Sequence, residues 1–166
     1  IRQPTVAFID RLNLYLGEHV FMLMHLPGHT PGEVAVFIPK EKVVFTGDNF
    51  INGWQPSLRN SCPLEWVESL KKIESLDFEV AVPGHGEIGD KKAVKLFREF
   101  IEECIDVVRK AIHRGMSKEE AANSITFETE AYPPSLHPGR ERQCANVAHL
   151  YELLSKQPSI ISTANQ

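Results

Sequence analysis

Short apolar runs separated by turn residues fill the first part of the chain. Over residues 5–25, three such runs predict three short, mostly antiparallel strands. These runs are residues 6–8, 12–16 and 20–26. Two further apolar runs, 34–38 and 43–46, are joined by the polar segment 39–42, which is typical of a hairpin turn. Because these two runs are continuously apolar, we expect the sheet to be covered on both faces.

The second part of the chain has the periodicity of helices. Apolar residues recur every three or four positions over residues 63–76 and 91–114, which predicts two amphipathic helices. Asp90 is positioned to cap the longer one. Ser117 begins a capping-box pattern for a short helix, and residues 140–156 predict a last one.

This order of elements predicts one α/β domain with a mostly antiparallel sheet and helices on its outer face. The 166 residues are 42% hydrophobic and 24% charged, which is ordinary for a globular chain of one domain. Residues 1–89 form the sheet-forming part with the candidate site loops, and residues 90–166 form the helical part.

Three polar residues follow the ends of apolar runs. His29 comes after Pro27-Gly28, Asp48 comes after Gly47, and His85 lies in Pro83-Gly84-His85-Gly86. Each taken alone is a common turn residue that bonds the local backbone. Imidazole and carboxylate groups are also the usual oxygen and nitrogen ligands of zinc. The three together therefore favour a metal site where strands end, a common place for functional side chains.

These segments resemble the metallo-β-lactamase superfamily. The matching pieces are residues 27–32 (PGHTPG), 45–48 (FTGD) and 82–86 (VPGHG), in the order that the family has them. The resemblance covers residues 4–114. The family's His-x-His-x-Asp-His motif, expected before residue 27, is absent from this sequence. The resemblance therefore implies that the chain is the second half of a four-layer αβ/βα sandwich.

The resemblance also implies roles for the three residues. His29 completes one metal site, His85 completes the other, and Asp48 bridges them as the catalytic carboxylate. The implied cofactor is zinc, two ions in the complete domain, with iron or manganese as alternatives. An aspartate at position 48 is similar to hydrolases of small ester, thioester or lactone substrates, in which a hydroxide held by the metal attacks. Without the first half, the chain alone is expected to be inactive.

Two other functions remain open. One is a mononuclear iron persulfide dioxygenase of the same fold. The other is a subunit with a structural or assembly role and no catalysis. In every case, we expect the absent N-terminal half or a second copy of the chain to cover the apolar sheet face around Val34, Val36, Val44 and Phe45, because large apolar patches are rarely left bare.

Four further residues are candidates for a substrate pocket. Phe50 and Trp54 lie in the turn-rich loop 49–60, where they either line the pocket or pack against the absent half. Tyr132 and His137 lie in the Pro-rich connector before the last helix, and long connectors of this kind are often binding loops.

Charge and cysteine usage narrow the class of protein. The net charge of −4 gives no reason to expect a nucleic-acid partner. No apolar run approaches the ~20 residues of a membrane span. Three cysteines without close spacing predict neither a disulfide framework nor a zinc knuckle. This usage suits a reducing compartment, and we expect a cytoplasmic location.

Overall fold

The computed structural model describes residues 5–132 and 139–156. It contains one five-stranded sheet, four helices and two short 3-10 turns. The strands are β1 Arg11–Leu16, β2 His19–His25, β3 Val34–Ile38, β4 Val43–Phe45 and β5 Val80–Val82. The helices are α1 Pro63–Glu74, α2 Lys91–His113, α3 Lys118–Ser124 and α4 Arg140–Ser155, and the 3-10 turns are Pro39–Glu41 and Gly47–Asn49.

The strands lie in the sheet in their order along the chain. β1 to β4 pair antiparallel, as predicted, and β5 pairs parallel to β4. Parallel neighbours need a crossover connection, and α1 lies in this one. Because of these strand directions, β2, β4 and β5 all run the same way. Their carboxyl ends therefore meet at one edge of the sheet.

Within residues 5–132 and 139–156, the helices pack on one face of the sheet. The strand residues on that face, Phe37, Val44 and Ala81, are buried in one core cluster with Trp66 of α1 and Phe97 of α2. The N-terminal caps of α2 and α3 agree with the sequence pattern. The Ala93 N–H donates to the Asp90 carboxylate over 2.8 Å, and the capping box at Ser117 is formed.

The opposite face carries a row of apolar side chains in register across the strands. One residue comes from each strand: Leu12, Leu23, Val36, Phe45 and Val82. Phe45 is 43% exposed, and the other four are partly exposed. The expected cover of this face by the absent half or a second copy of the chain stays a prediction. The assignment of Val44 to this face was wrong, because Val44 pairs with Phe37, faces the helices and is fully buried.

The predicted first strand, residues 6–8, is also absent from the described sheet. Val6 is 64% exposed there. A short apolar run forms a strand only where a neighbour satisfies its backbone groups, and β1 pairs with β2 alone. Among the residues described, no helix combines the length and the apolar character needed to cross a membrane.

Candidate metal centre

The three predicted ligand residues lie at one edge of the sheet because of the strand directions. His29 follows β2, Asp48 follows β4 within the 3-10 turn Gly47–Asn49, and His85 follows β5. Antiparallel β3 returns the chain between β2 and β4, and α1 returns it between β4 and β5. The alternation of strand directions thus brings together residues that are far apart in sequence.

Asp48 lies between the two imidazoles. His29 Nε2 is 3.8 Å from Asp48 Oδ2, and His85 Nε2 is 3.6 Å from Asp48 Oδ1. Both separations are longer than a hydrogen bond. Two ligand atoms that are each about 2.1 Å from one tetrahedral ion lie about 3.4 Å apart, and both separations are near that distance. Each carboxylate oxygen faces a different histidine, as in a carboxylate that bridges two ions.

The three side chains do not surround a single point. Within residues 5–132 and 139–156, no three His, Cys, Asp or Glu side chains are grouped to hold one metal ion. The arrangement is instead two donor pairs that share one carboxylate. Each pair supplies two ligands, whereas catalytic zinc commonly has three protein ligands and an open position.

The His29 loop is attached to the core through Asn49. The fully buried Asn49 side chain accepts from the His29 backbone N–H over 3.0 Å and donates to the Leu26 carbonyl over 2.6 Å. The Trp66 indole donates to the Asn49 carbonyl over 2.9 Å, and its ring meets the His29 ring edge-on, with centroids 5.4 Å apart. Gly28 is required here because a Cβ would lie 2.1 Å from Asn49 Oδ1.

His29 has one polar atom without a partner. Its Nδ1 is buried and makes no hydrogen bond within the described residues. Buried polar atoms in folded proteins almost always have partners, so this nitrogen is an exception. It is not the nitrogen that faces Asp48, which is Nε2. The fit of these residues to a metal therefore rests on the chemistry of the donors, two imidazoles and one carboxylate.

The His85 loop is built differently. The His85 side chain is 57% exposed and its ring stacks on Trp54, with centroids 6.0 Å apart and an interplanar angle of 9°. The Asn52 N–H donates to the His85 carbonyl over 3.0 Å. At Gly84, a Cβ would lie 2.0 Å from Asp48 Oδ1 and 2.8 Å from the Gly47 carbonyl carbon. The loop approaches Asp48 so closely that only glycine fits at position 84.

A cavity of about 650 Å³ opens beside these residues. Its walls include His29, Asp48 and His85 together with Trp54, for which the sequence left open a place in the pocket or against the absent half. Other wall residues were not predicted: Ile51, Gln55, Pro56, Ser57, Arg59, Gly139, Glu141 and Arg142. They come from the loop before α1 and from the start of α4. The only signal for the first group was the turn-rich composition of residues 49–60, and no local signal marked the second.

The structure places two of the other pocket candidates in the core. Phe50 is fully buried against Phe97, with ring centroids 5.9 Å apart. Tyr132 is 2% exposed and its hydroxyl donates to the Ile51 carbonyl over 3.2 Å. Burial raises the pKa of the Tyr132 phenol well above its ordinary value, so this side chain stays neutral. His137 lies outside the described residues.

Comparison with known proteins identifies a family whose model matches part of this chain. A family model described as "Metallo-beta-lactamase superfamily" matches residues 4–85. The chain is 30% identical over 110 residues to the acyl-coenzyme A thioesterase MBLAC2 of Homo sapiens, covering 61% of this chain and 39% of that protein. It is 41% identical over 85 residues to a hydroxyacylglutathione hydrolase of Brucella anthropi, covering 48% of this chain and 33% of the relative.

A third relative matches over more of the chain. It is a linear primary-alkylsulfatase of a Pseudomonas species, 26% identical over 144 residues, covering 80% of this chain and 26% of the relative. The chain thus spans between 26% and 39% of the length of these three proteins. Among solved structures, a metallo-beta-lactamase family protein from Thermus thermophilus has a TM-score of 0.65 at 18% identity, covering 92% of this chain and 50% of that one. This similarity supports the fold.

Proposed function

The chain belongs to the metallo-beta-lactamase superfamily, and on that premise we propose that it forms part of a metal-dependent hydrolase of ester, thioester or lactone substrates. The observation that carries the proposal is the Asp48 carboxylate, whose two oxygens face His29 and His85 at 3.8 and 3.6 Å beside a cavity of about 650 Å³. The named activities of the relatives, a thioesterase and a hydroxyacylglutathione hydrolase, are of the same reaction class.

The residues of this chain have separate tasks in the proposed reaction. His29 and His85 would each hold one zinc ion, and Asp48 would join the two positions. Zinc when bound supplies Lewis acidity and lowers the pKa of water towards ~7. Trp54 and Ile51 give the cavity an apolar wall on which an acyl chain can pack. The chain would contribute binding and orientation, and it needs no serine or cysteine nucleophile.

The same geometry supports the proposal that further ligands come from another polypeptide segment. With two donors from this chain at each position, both positions are short of the three protein ligands usual for catalytic zinc. A segment that supplied them would also cover the apolar row on the open face of the sheet, in which Phe45 is 43% exposed. Burial of apolar surface contributes about 25 cal/mol per Å², so this contact would stabilise both parts.

The experiment compares the 166-residue chain with the same chain supplied with an N-terminal half that bears the His-x-His-x-Asp-His motif. Metal content is measured by mass spectrometry, which also identifies zinc, iron or manganese, and turnover is measured on a thioester and lactone panel. We expect at most one weakly held metal and no turnover from the chain alone, and two metals with turnover from the pair. Asp48→Ala should abolish both, whereas Asp77→Ala, which removes an exposed carboxylate elsewhere, should change neither.

Two results would contradict these proposals. Two tightly bound metals and turnover by the chain alone would show that the ligand set is complete without another segment. A pair that assembles but binds no metal would contradict the hydrolase. It would favour instead a non-catalytic subunit, the alternative that is consistent with the lack of a three-donor group among the described residues.

A further inference from the structure

The two edges of the five-stranded sheet differ in how their backbone groups are paired. At the β5 edge, the backbone of Ala81 exchanges two hydrogen bonds with Gly89, over 2.8 and 2.9 Å, and β5 is only three residues long. At the other edge, β1 is six residues long and pairs with β2 alone among the described residues. Because an edge strand with unpaired N–H and C=O groups can pair with another strand, the β1 edge is a candidate interaction surface.

Every second residue of β1 directs its backbone groups away from the sheet. The His25 N–H donates to the Asp10 carbonyl over 2.9 Å, and the register of β1 with β2 continues from that pair. Since hydrogen-bonded and non-hydrogen-bonded pairs alternate along an antiparallel ladder, the backbone groups of Arg11, Asn13 and Tyr15 face outward. These groups have no hydrogen-bond partner within residues 5–132 and 139–156. The edge therefore presents an N–H donor and a carbonyl acceptor from each of these residues.

β1 lacks the features that usually prevent an edge strand from pairing. Its register with β2 is continuous from Arg11 to Leu16, so no bulge interrupts the strand. It contains no proline, and its single charged residue, Arg11, is at its first position. Tyr15 is 72% exposed and Leu16 is 62% exposed. We propose that β1 pairs with β1 of a second copy of the chain, which joins two five-stranded sheets into one continuous sheet.

A second copy is the partner because β1 is complementary to itself in one antiparallel register. A two-fold axis at Asn13 places this residue opposite its own copy and places Arg11 opposite Tyr15 of the second copy, so every outward donor and acceptor forms an N–H···O bond. On the open face of the sheet, Leu12 then lies opposite Leu14 in a non-hydrogen-bonded pair, where side chains are closest. Arg11 meets an aromatic ring rather than a like charge, which would destabilise the pair.

This contact is separate from the candidate metal centre. β1 is the first strand in the order of the sheet, whereas the candidate ligands follow β2, β4 and β5. The open faces of the two copies remain available to another segment and become one continuous surface. Pairing of two six-residue strands buries less than the about 1,200 Å² at the lower end of stable interfaces, so we expect a weak dimer. This dimer goes beyond the proposed function and does not depend on it.

The test is sedimentation velocity of the 166-residue chain over a wide range of concentration, in the presence of EDTA. We expect a monomer–dimer equilibrium. Asn13→Pro removes the central outward N–H, which the fold of one copy does not use, and should raise the dissociation constant about tenfold or more. Asn13→Ala is the matched control, because it removes the same side chain but keeps the N–H, and its effect should be clearly smaller. Equal dissociation constants in the two variants would contradict pairing through the backbone.

Cross-linking and charge reversal test the register. At the two-fold axis, the Cα atoms of Asn13 and its copy would be about 5.5 Å apart, within the range of a disulfide. Asn13→Cys should therefore form a covalent dimer on oxidation. Tyr15→Cys, which lies opposite Arg11 instead, should cross-link no faster than the wild type with its free cysteines. Tyr15→Arg should weaken the dimer by placing like charges opposite each other, and Arg11→Glu in the same chain should restore it.

Thermal melts check that each variant is folded, and Phe45→Lys is the control for the open face. Because Phe45 lies on β4, away from the β1 edge, this change should leave the dimer intact. A chain that stays monomeric at every concentration would overturn the proposal. A dimer that is lost in Phe45→Lys and retained in Asn13→Pro would also overturn it, since that result would indicate face-to-face packing of two sheets.

Discussion

The two histidines beside Asp48 are held in place by different means. The His29 side chain is 22% exposed, and its loop is bonded to the buried Asn49 and packed against Trp66. The His85 side chain is 57% exposed, and its ring is supported by the stack on Trp54, itself 46% exposed. The His29 loop packs against the core, and the His85 loop forms part of the cavity wall.

This difference separates changes that should affect the stability of the fold from changes that should affect mainly metal binding. Changes around His29 disturb buried hydrogen bonds, so they should lower the free energy of unfolding as well as metal affinity. Changes around His85 disturb a half-exposed ring contact, so they should affect the metal and the cavity more than the fold. The candidate site thus has one side bonded to the core and one side that is half exposed.

The largest effect is expected at Asn49. Asn49→Ala removes the acceptor of the His29 N–H and the donor to the buried Leu26 carbonyl. Two polar groups left unpaired cost about 2–4 kcal/mol in unfolding free energy, measured by urea denaturation. Asn123→Ala is the control, since that side chain is exposed and the change should stay within about 0.5 kcal/mol. Equal stability of the two variants would mean that the His29 loop does not depend on the core.

A smaller effect with a clear steric cause is expected at Gly84. In Gly84→Ala, the new Cβ would overlap Asp48 Oδ1, so the carboxylate or the His85 loop must move. We expect a loss of about 1–3 kcal/mol in unfolding free energy and weaker zinc binding by calorimetry. Gly32→Ala is the matched control, because nothing lies within 4 Å of its Cβ position. If Gly84→Ala bound zinc like the wild type, Asp48 would not be confined by this loop.

The smallest effect is expected at Trp54. Trp54→Ala removes the ring stacked on His85, a contact worth about 0.5–1.5 kcal/mol. The urea midpoint should therefore change little, while zinc affinity at the His85 position falls a fewfold, and Trp54→Phe should restore most of it. A large loss of stability without a loss of zinc affinity would place Trp54 in the fold rather than in the site.

Local patterns in the sequence were enough to locate the candidate ligands. His29, Asp48 and His85 each follow an apolar run and a glycine, and a strand end is a local feature that spacing reveals. These residues meet at one edge of the sheet because of the directions in which the strands pair, and a succession of short strands favours such pairing. Helix bounds and the Asp90 cap were predictable for the same reason, since capping depends on residues three or four positions apart.

Features that depend on distant contacts were not predictable. Phe50 and Trp54 share a loop without periodicity, yet one lies in the core and the other in the cavity wall. The register of Val44 with Phe37 decides which face of the sheet Val44 occupies. A run in which every residue is apolar does not indicate that face. Arg59 and Arg142 line one cavity because α4 packs beside the loop before α1. No pattern within a short segment of the sequence indicates this contact.

The central claim is that one carboxylate serves two separate imidazoles, His29 on Oδ2 and His85 on Oδ1. The most direct measurement is a zinc titration followed through the ring nitrogens of both histidines by long-range 1H–15N NMR. It compares the wild type with His29→Ala, His85→Ala and Asp48→Ala. Weak binding of a single ion that exchanges between the two positions is sufficient, because the shift of each ring reports its own position.

The account predicts that each histidine variant keeps the zinc response of the other histidine, while Asp48→Ala weakens the response of both. Loss of the His85 response in His29→Ala would show one shared ion instead of two positions. Wild-type responses of both rings in Asp48→Ala would show that the carboxylate does not join them, and would contradict the account.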